Sequence, residues 1–257
     1  MLVVVSLALV VTACGSTTPT SGSPTTGTQT QSVAAQPVSP AATKSQFLTG
    51  NISPTYPAGT AGQVALVSQA ALTLPVPAGG ETVPIAVRNN TTHAVTQITA
   101  QGTVKSTSAS VVATGSDQGF HPSYLLPGQV SLGFVCLGIG SNVPAGSAMS
   151  VQVSSTPAQS ANTYTADLLI TAANNTGQQL VGTLTNPRGH SIQGPYEVYV
   201  FCVATTGTLQ AEVGGFADAS NDLAGGATSG FTIDLAGTAC PNYPVGASGY
   251  DQAAAGN

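Results

Sequence analysis

Charge is what this chain has least of. Four Lys or Arg and nine Asp or Glu are spread over 257 residues. A surface so poor in charge has to be covered by Ser, Thr, Asn, Gln and Gly. The net charge of −5 and the lack of any basic cluster exclude nucleic acid, whose binding is driven by Lys and Arg neutralising phosphates. Helix signals are almost absent as well. So are the motifs of nucleophilic catalysis: there is no Gly-x-Ser-x-Gly, no Ser-x-x-Lys and no Cys–His pair in a family context. Gly-rich stretches such as "AGGATSG" precede strands rather than helices, which removes a phosphate cradle. Paired carboxylates for glycoside cleavage meet only in a fold, and the nine acids all fall on apparent loops or solvent faces. The expectation is a protein that is not an enzyme and uses no cofactor.

Metal ligands are equally sparse. His93, His121 and His190 have no other histidine within four residues, whereas a zinc site usually has two ligands at short spacing. They read as exposed loop histidines. Asp218 and Asp222 share the loop "ADASND", which lacks the acidic density of a dedicated calcium site. No metal site is expected.

The amino-terminal end carries an apolar run, Leu2 to Val11, about half the roughly 20 residues that span a bilayer as a helix. It has the length of a secretory h-region and ends in small residues, as a cleavage site requires. The residues that follow, Gly15 to Thr43, contain no charge and no aromatic ring. Such a tract cannot bury enough apolar surface to offset its ordering entropy. As a flexible coil it reaches roughly 30 Å, and its Thr and Pro content suits surface glycosylation.

Val11-Thr12-Ala13-Cys14 resembles the bacterial lipoprotein box, an aliphatic residue and two small ones before Cys. The resemblance implies cleavage before Cys14 and a diacylglyceryl group on its thiol. It thus implies a bilayer partner, because two acyl chains suffice for stable anchoring. Residues 1–13 are then the signal and residues 14–59 a lipidated, disordered tether. No basic residue precedes Lys44, where a signal normally begins with one. Either the start lies upstream of Met1 or the segment inserts poorly.

Beyond the tether the pattern is β. "YTADLLITA" puts Tyr164, Ala166, Leu168 and Ile170 on one face, and "FTIDL" alternates Phe231, Ile233 and Leu235 with Thr232 and Asp234. "EVYVFCV" is apolar on both faces, as a central sandwich strand is. Many short strands between Gly, Pro and Asn-Asn turns predict antiparallel β-sandwiches. An internal repeat divides them. Leu126-Pro127-Gly128 leads to Gly133-Phe134, and Leu223-Ala224-Gly225 leads to Gly230-Phe231. Upstream, "PIAVRNNTTHAV" and "VGTLTNPRGHSI" each place a strand before an Asn-centred turn. The expected modules are residues 60–142 and 150–242, with residues 243–257 as a tail.

Gly182-Thr183-Leu184-Thr185-Asn186, the strand from Glu197 to Gly207, and Leu223-Ala224-Gly225-Gly226 resemble the FxLYD-type immunoglobulin-like modules of bacterial envelope lipoproteins. The pattern departs at "CVATTG", where the family usually carries Tyr-Asp before the turn Gly. These are turn and core positions, so the resemblance implies a fold, all-β tandem immunoglobulin-like antiparallel sandwiches, and says little of activity.

Three cysteines remain besides Cys14. Aligning the repeats on Gly-Phe puts Cys136 opposite Ile233, so it reads as a buried free thiol. Cys202 on the central strand and Cys240 after the last strand are expected to pair in an exported chain, with Cys136–Cys202 as the alternative. Tyr243 and Tyr250 lie among Pro and Gly. Protein or sugar contact suits them, but the favoured reading has one packing over the module and the other fraying with the tail. Together these readings describe a non-catalytic lipoprotein on the outer face of a bacterial membrane, presenting two modules to an envelope protein partner. The alternative is an extracytoplasmic small-molecule or metal-binding lipoprotein.

Overall fold

A computed structural model describes residues 29–31, 45–73, 80–138, 143–161 and 163–254. No α-helix occurs among them. Fourteen strands do: β1 (Gln29–Gln31), β2 (Thr49–Gly50), β3 (Val64–Gln69), β4 (Glu81–Asn89), β5 (Val95–Lys105), β6 (Val111–His121), β7 (Val130–Leu137), β8 (Ala148–Pro157), β9 (Thr165–Asn175), β10 (Gln179–Thr185), β11 (Gln193–Val203), β12 (Leu209–Phe216), β13 (Thr228–Asp234) and β14 (Pro244–Tyr250). They form two antiparallel sheets, β1-β8-β5-β6-β7-β4-β3 and β12-β11-β14-β9-β10-β13, the second with β2 added on β14. The all-β sandwich class expected from the alternation is the one found.

Each sheet bends round until its far strands approach. In the first, Gln69 Nε2 of β3 donates to Met149 O of β8. In the second, Ala217, just after β12, bridges Phe231 on β13, and Asp218 N donates to Gly230 O at 2.8 Å. The alternating side chains then meet in the interior. Ala166, Leu168 and Ile170 of β9 are buried with Phe231 and Ile233 of β13, while Thr232 and Asp234 are exposed.

The internal repeat has a structural core, a buried asparagine after the second strand of each half. The Asn89 amide donates to the carbonyls of His93 and Leu125 at 2.8 and 2.9 Å, and its Oδ1 accepts from Thr91 N. The Asn186 amide donates to the carbonyls of His190 and Leu223 at 2.9 and 2.8 Å, and its Oδ1 accepts from Arg188 N. Their backbones match too: Gly128 N donates to Asn89 O and Gly226 N to Asn186 O, both glycines at positive φ. Buried amide groups have to be paired, and one Asn in each half satisfies a whole crossing of loops.

This node shifts the alignment. It takes Leu125, not Leu126, as the counterpart of Leu223. Val87 pairs with Ser131, and Leu184, its equivalent two residues before the asparagine, pairs with Ser229. Val135 is therefore the counterpart of Ile233, and Cys136 that of Asp234. A slip of one residue turns every side chain to the other face, so Cys136 does not point into the first interior as the Gly-Phe alignment placed it. Nor is it a free thiol: it is disulfide-bonded.

The sheets do not respect the expected module limits. β8, mostly within the expected second module, pairs with β5 of the first sheet over Val95 to Lys105. β14, in the expected tail, lies between β11 and β9 in the second sheet. The expected tether also contributes. Gln29–Gln31 pair with β8, and β2 pairs with β14. Asn51 clasps the same region, accepting from Tyr243 N at 2.8 Å and donating to Pro241 O at 2.7 Å. A side chain on Gly50 would collide with Tyr243 O, so that close approach requires glycine. Tyr56 is buried in the first core.

Replacing Asn186 by Asp keeps its shape but points an oxygen at two carbonyls. Losing those donors costs at least about 2 kcal/mol. The expected result is a fall of that size in chemical-denaturation stability; an unchanged midpoint would remove the node from its structural role.

Candidate functional site at the seam between the sheets

β11 is apolar on both faces for two separate reasons. Val198, Val200 and Cys202 point into the interior of the second sheet, with Tyr196. Phe201 and Val203 point the other way and join the core cluster of the first sheet, with Leu209 of β12 and Tyr199 packed against it. The two halves are thus fused through the outer face of β11. Two tilted ring pairs hold that seam: Phe134 of β7 lies 5.3 Å from Tyr199, and His121 lies 5.0 Å from it. Glycines make the room. The Tyr199 ring lies over Gly214, and His121 Cβ presses on Gly246.

Few ionisable groups exist, and several are buried here. His121 ends β6 inside the seam instead of standing on an exposed loop, and neither ring nitrogen has a hydrogen-bond partner. Burial lowers its pKa to about 4, so it is neutral at pH 7. Just beyond it, Ser123 N, Ser123 Oγ and Tyr124 N all donate to the buried Asp167 carboxylate of β9, at 2.7 to 3.2 Å. Burial nevertheless raises Asp167 to about 6, against those hydrogen bonds and the pull of Arg188. Glu212 of β12 is pushed up to about 8 by burial, partly offset by a hydrogen bond from Thr82. At neutral pH the seam therefore holds a neutral imidazole, an ionised and well-bonded aspartate, and a protonated glutamic acid.

The other histidines lie apart. His93 is exposed. His190 Nε2 lies 2.9 and 3.0 Å from the two oxygens of the buried Asp251. No hydroxyl or thiol bonds to the His190 ring among the described residues, so this pair ties the segment after β14 to the Asn186 loop and lacks a nucleophile. Among the described residues no group of three or more His, Cys, Asp or Glu could hold a metal ion; Asp218 and Asp222 are both exposed.

Cys202 and Cys240 are joined, with Cα atoms 4.8 Å apart. The Cys136–Cys202 alternative is thereby corrected, and the chain belongs in an oxidising, extracytoplasmic compartment. Cys14, with the Val11–Ala13 residues expected to form a lipoprotein box, lies outside the described residues. Both C-terminal tyrosines are anchored. Tyr243 is buried and its hydroxyl donates to Ala173 O at 3.3 Å. Tyr250 ends β14, where its ring lies 5.4 Å from Tyr164.

Two surfaces remain open. A shallow groove of about 480 Å³ crosses β9, β10 and β13, lined by Asn174, Val181, Thr183, Gly230, Thr232 and Asp218. The second lies beside the seam, at the β12-β11 edge of the second sheet's outer face, beyond the buried Ser248 and Asp167. There Phe216 sits directly opposite Glu197, which in turn sits opposite Ser248. Phe216 is 59% exposed and Tyr164 47% exposed. Sequence reading missed this face because its members come from four strands; the repeat and the alternation identify core, not outer neighbours.

Two results follow from the seam. Between the ordinary glutamate value of 4.5 and about 8, the folded chain holds a Glu212 proton that the unfolded chain has released. Stability from this group therefore falls as pH rises through that window, and Glu212→Gln removes the fall; melting curves of both proteins from pH 5 to 9 are expected to diverge upward in favour of the variant. Phe201→Ala opens a cavity in the shared core and costs about 3–5 kcal/mol. One cooperative transition, shifted as a whole, is expected by calorimetry, and two separate transitions would contradict a fused core.

Comparison with protein-family models, with curated proteins and with solved structures yields no match to this chain.

Proposed function

We propose that this chain is an exported, non-catalytic cell-envelope protein that presents two fused immunoglobulin-like β modules to a protein partner, held at the bacterial membrane by lipid on Cys14. The observation that carries the interaction reading is the pair of exposed aromatic rings on the second half, Phe216 at the end of β12 and Tyr164, packed on Tyr250, just before β9. Aromatic side chains are the anchors of protein interfaces, giving large contact area at low entropy cost. Here they stand on or beside the strands of a disulfide-stapled sheet, so they are held in place before a partner arrives. The export reading is supported by the Cys202–Cys240 bond.

Cross-linking in living cells through a C-terminal tag tests the function. The expected outcome is a reproducible envelope protein that is lost when the two sheets are deleted and the anchor retained. Recovery of no partner from an abundant surface protein would refute the interaction reading. Mass spectrometry of the Cys14 peptide decides the anchor: a diacylglyceryl mass supports lipid, and a peptide without that mass removes it.

A further inference from the structure

On the outer face of the second sheet, Phe216, Glu197, Ser248 and Asp167 stand in one row across four strands. Its two carboxylates differ in what covers them. Asp167 lies under the Ser123–Tyr124 loop and accepts from three donors. Glu197 is half-buried, and no hydrogen bond or ion pair reaches it from the described residues. Burial alone raises its pKa, the mark of a carboxylate losing water without gaining donors.

Rings stand beside it. Phe216 is its direct neighbour on β12. Tyr250 lies two residues along β14 from its other neighbour, Ser248, and packs on the exposed Tyr164. Tyr199 and Tyr250 both feel the Glu197 charge. Among the described residues no cation pairs with Glu197. Arg88 is buried in β4 of the first sheet, Lys105 ends β5, and the Arg188 guanidinium donates to Ala161 O.

An acceptor-only group beside aromatic rings is complementary to a cation that can stack and donate at once. Guanidinium does both, being planar and donating two parallel hydrogen bonds to a carboxylate. An ammonium is a compact, strongly hydrated point charge that does not stack. Cation–ring attraction adds to the pairing, and the net charge of −5 favours a basic partner. We infer that Glu197, with Phe216 and Tyr250 beside it, is the docking site for an arginine side chain of the partner protein. The inference rests on the interaction reading above and names the chemistry of that contact.

The purified chain is titrated with acetyl-Gly-Arg-Gly-amide and with the same peptide carrying citrulline, which has arginine's shape without its charge. Nuclear magnetic resonance follows the ring signals of Tyr164 and Tyr250. Saturable shifts are expected with the arginine peptide at about 1–10 mM, with the citrulline peptide about tenfold weaker. Glu197→Gln is expected to erase the difference between the two. Phe216→Ala, at an exposed position that spares the fold, is expected to weaken arginine binding severalfold. Equal response to both peptides, or a Glu197→Gln protein that still prefers arginine, overturns the site. Capture of an envelope partner that tolerates Glu197→Gln likewise removes the site and leaves the interaction reading standing. Arginine-specific binding without a captured partner does the reverse.

Discussion

Phe201 and Val203 on one face of β11, and Val198, Val200 and Cys202 on the other, put a single strand between two interiors. A strand apolar on both faces has to be covered twice, and each fully buried side chain of this size is worth about 1.5–3 kcal/mol. The second covering is the first sheet itself. Once those residues are buried, the position of the first half on the second is set by complementary shapes: Tyr199 over Gly214, His121 on Gly246, Phe134 against Tyr199. The flatness that glycine permits at those two points matters as much as the rings. Everything else at the seam, including the loop that crosses to Asp167, follows from that placement.

Much of the fold was legible in the sequence and some was not, for a physical reason. The period of two in β9 and β13 reports burial directly, because a strand shows its own two faces along its own length. The Asn89 and Asn186 turns were visible as turns. Their hydrogen-bond networks, which correct the repeat by one residue and turn Cys136 away from the interior, depend on contacts with Leu125 and Leu223 far along the chain. Pairing between strands is similarly non-local. Nothing in β8 says that it joins β5, and nothing in "PVGASGY" says that it is a central strand, since Gly and Ser are poor strand formers chosen here for close packing. The Cys202–Cys240 pair was readable from order and compartment. The face around Glu197 was not, because β14 and β9 join β11 from far along the chain.

A protein with so little charge concentrates its electrostatics where water is scarce. Surface ion pairs contribute little in any case, and only His190–Asp251 forms one among the described residues. His121, Asp167 and Glu212 instead meet the low-dielectric seam, each with its charged form disfavoured by burial. Asp167 softens that penalty through hydrogen bonds, and His121 and Glu212 avoid it by staying neutral at pH 7. The seam is consequently held by apolar burial and shape.

β14 follows in the chain every strand of the second sheet, yet it lies between β11 and β9. Order of synthesis and order of assembly are therefore opposed. Until residues 244–250 have emerged, β11 and β9 have no partner on their inner edges, and β2 has no strand to join. Long-range pairing of this kind is slow because loop closure precedes its reward. The consequence is a timer: the second half stays open, with unpaired strand edges at risk of mispairing, and locks only when its last strand arrives.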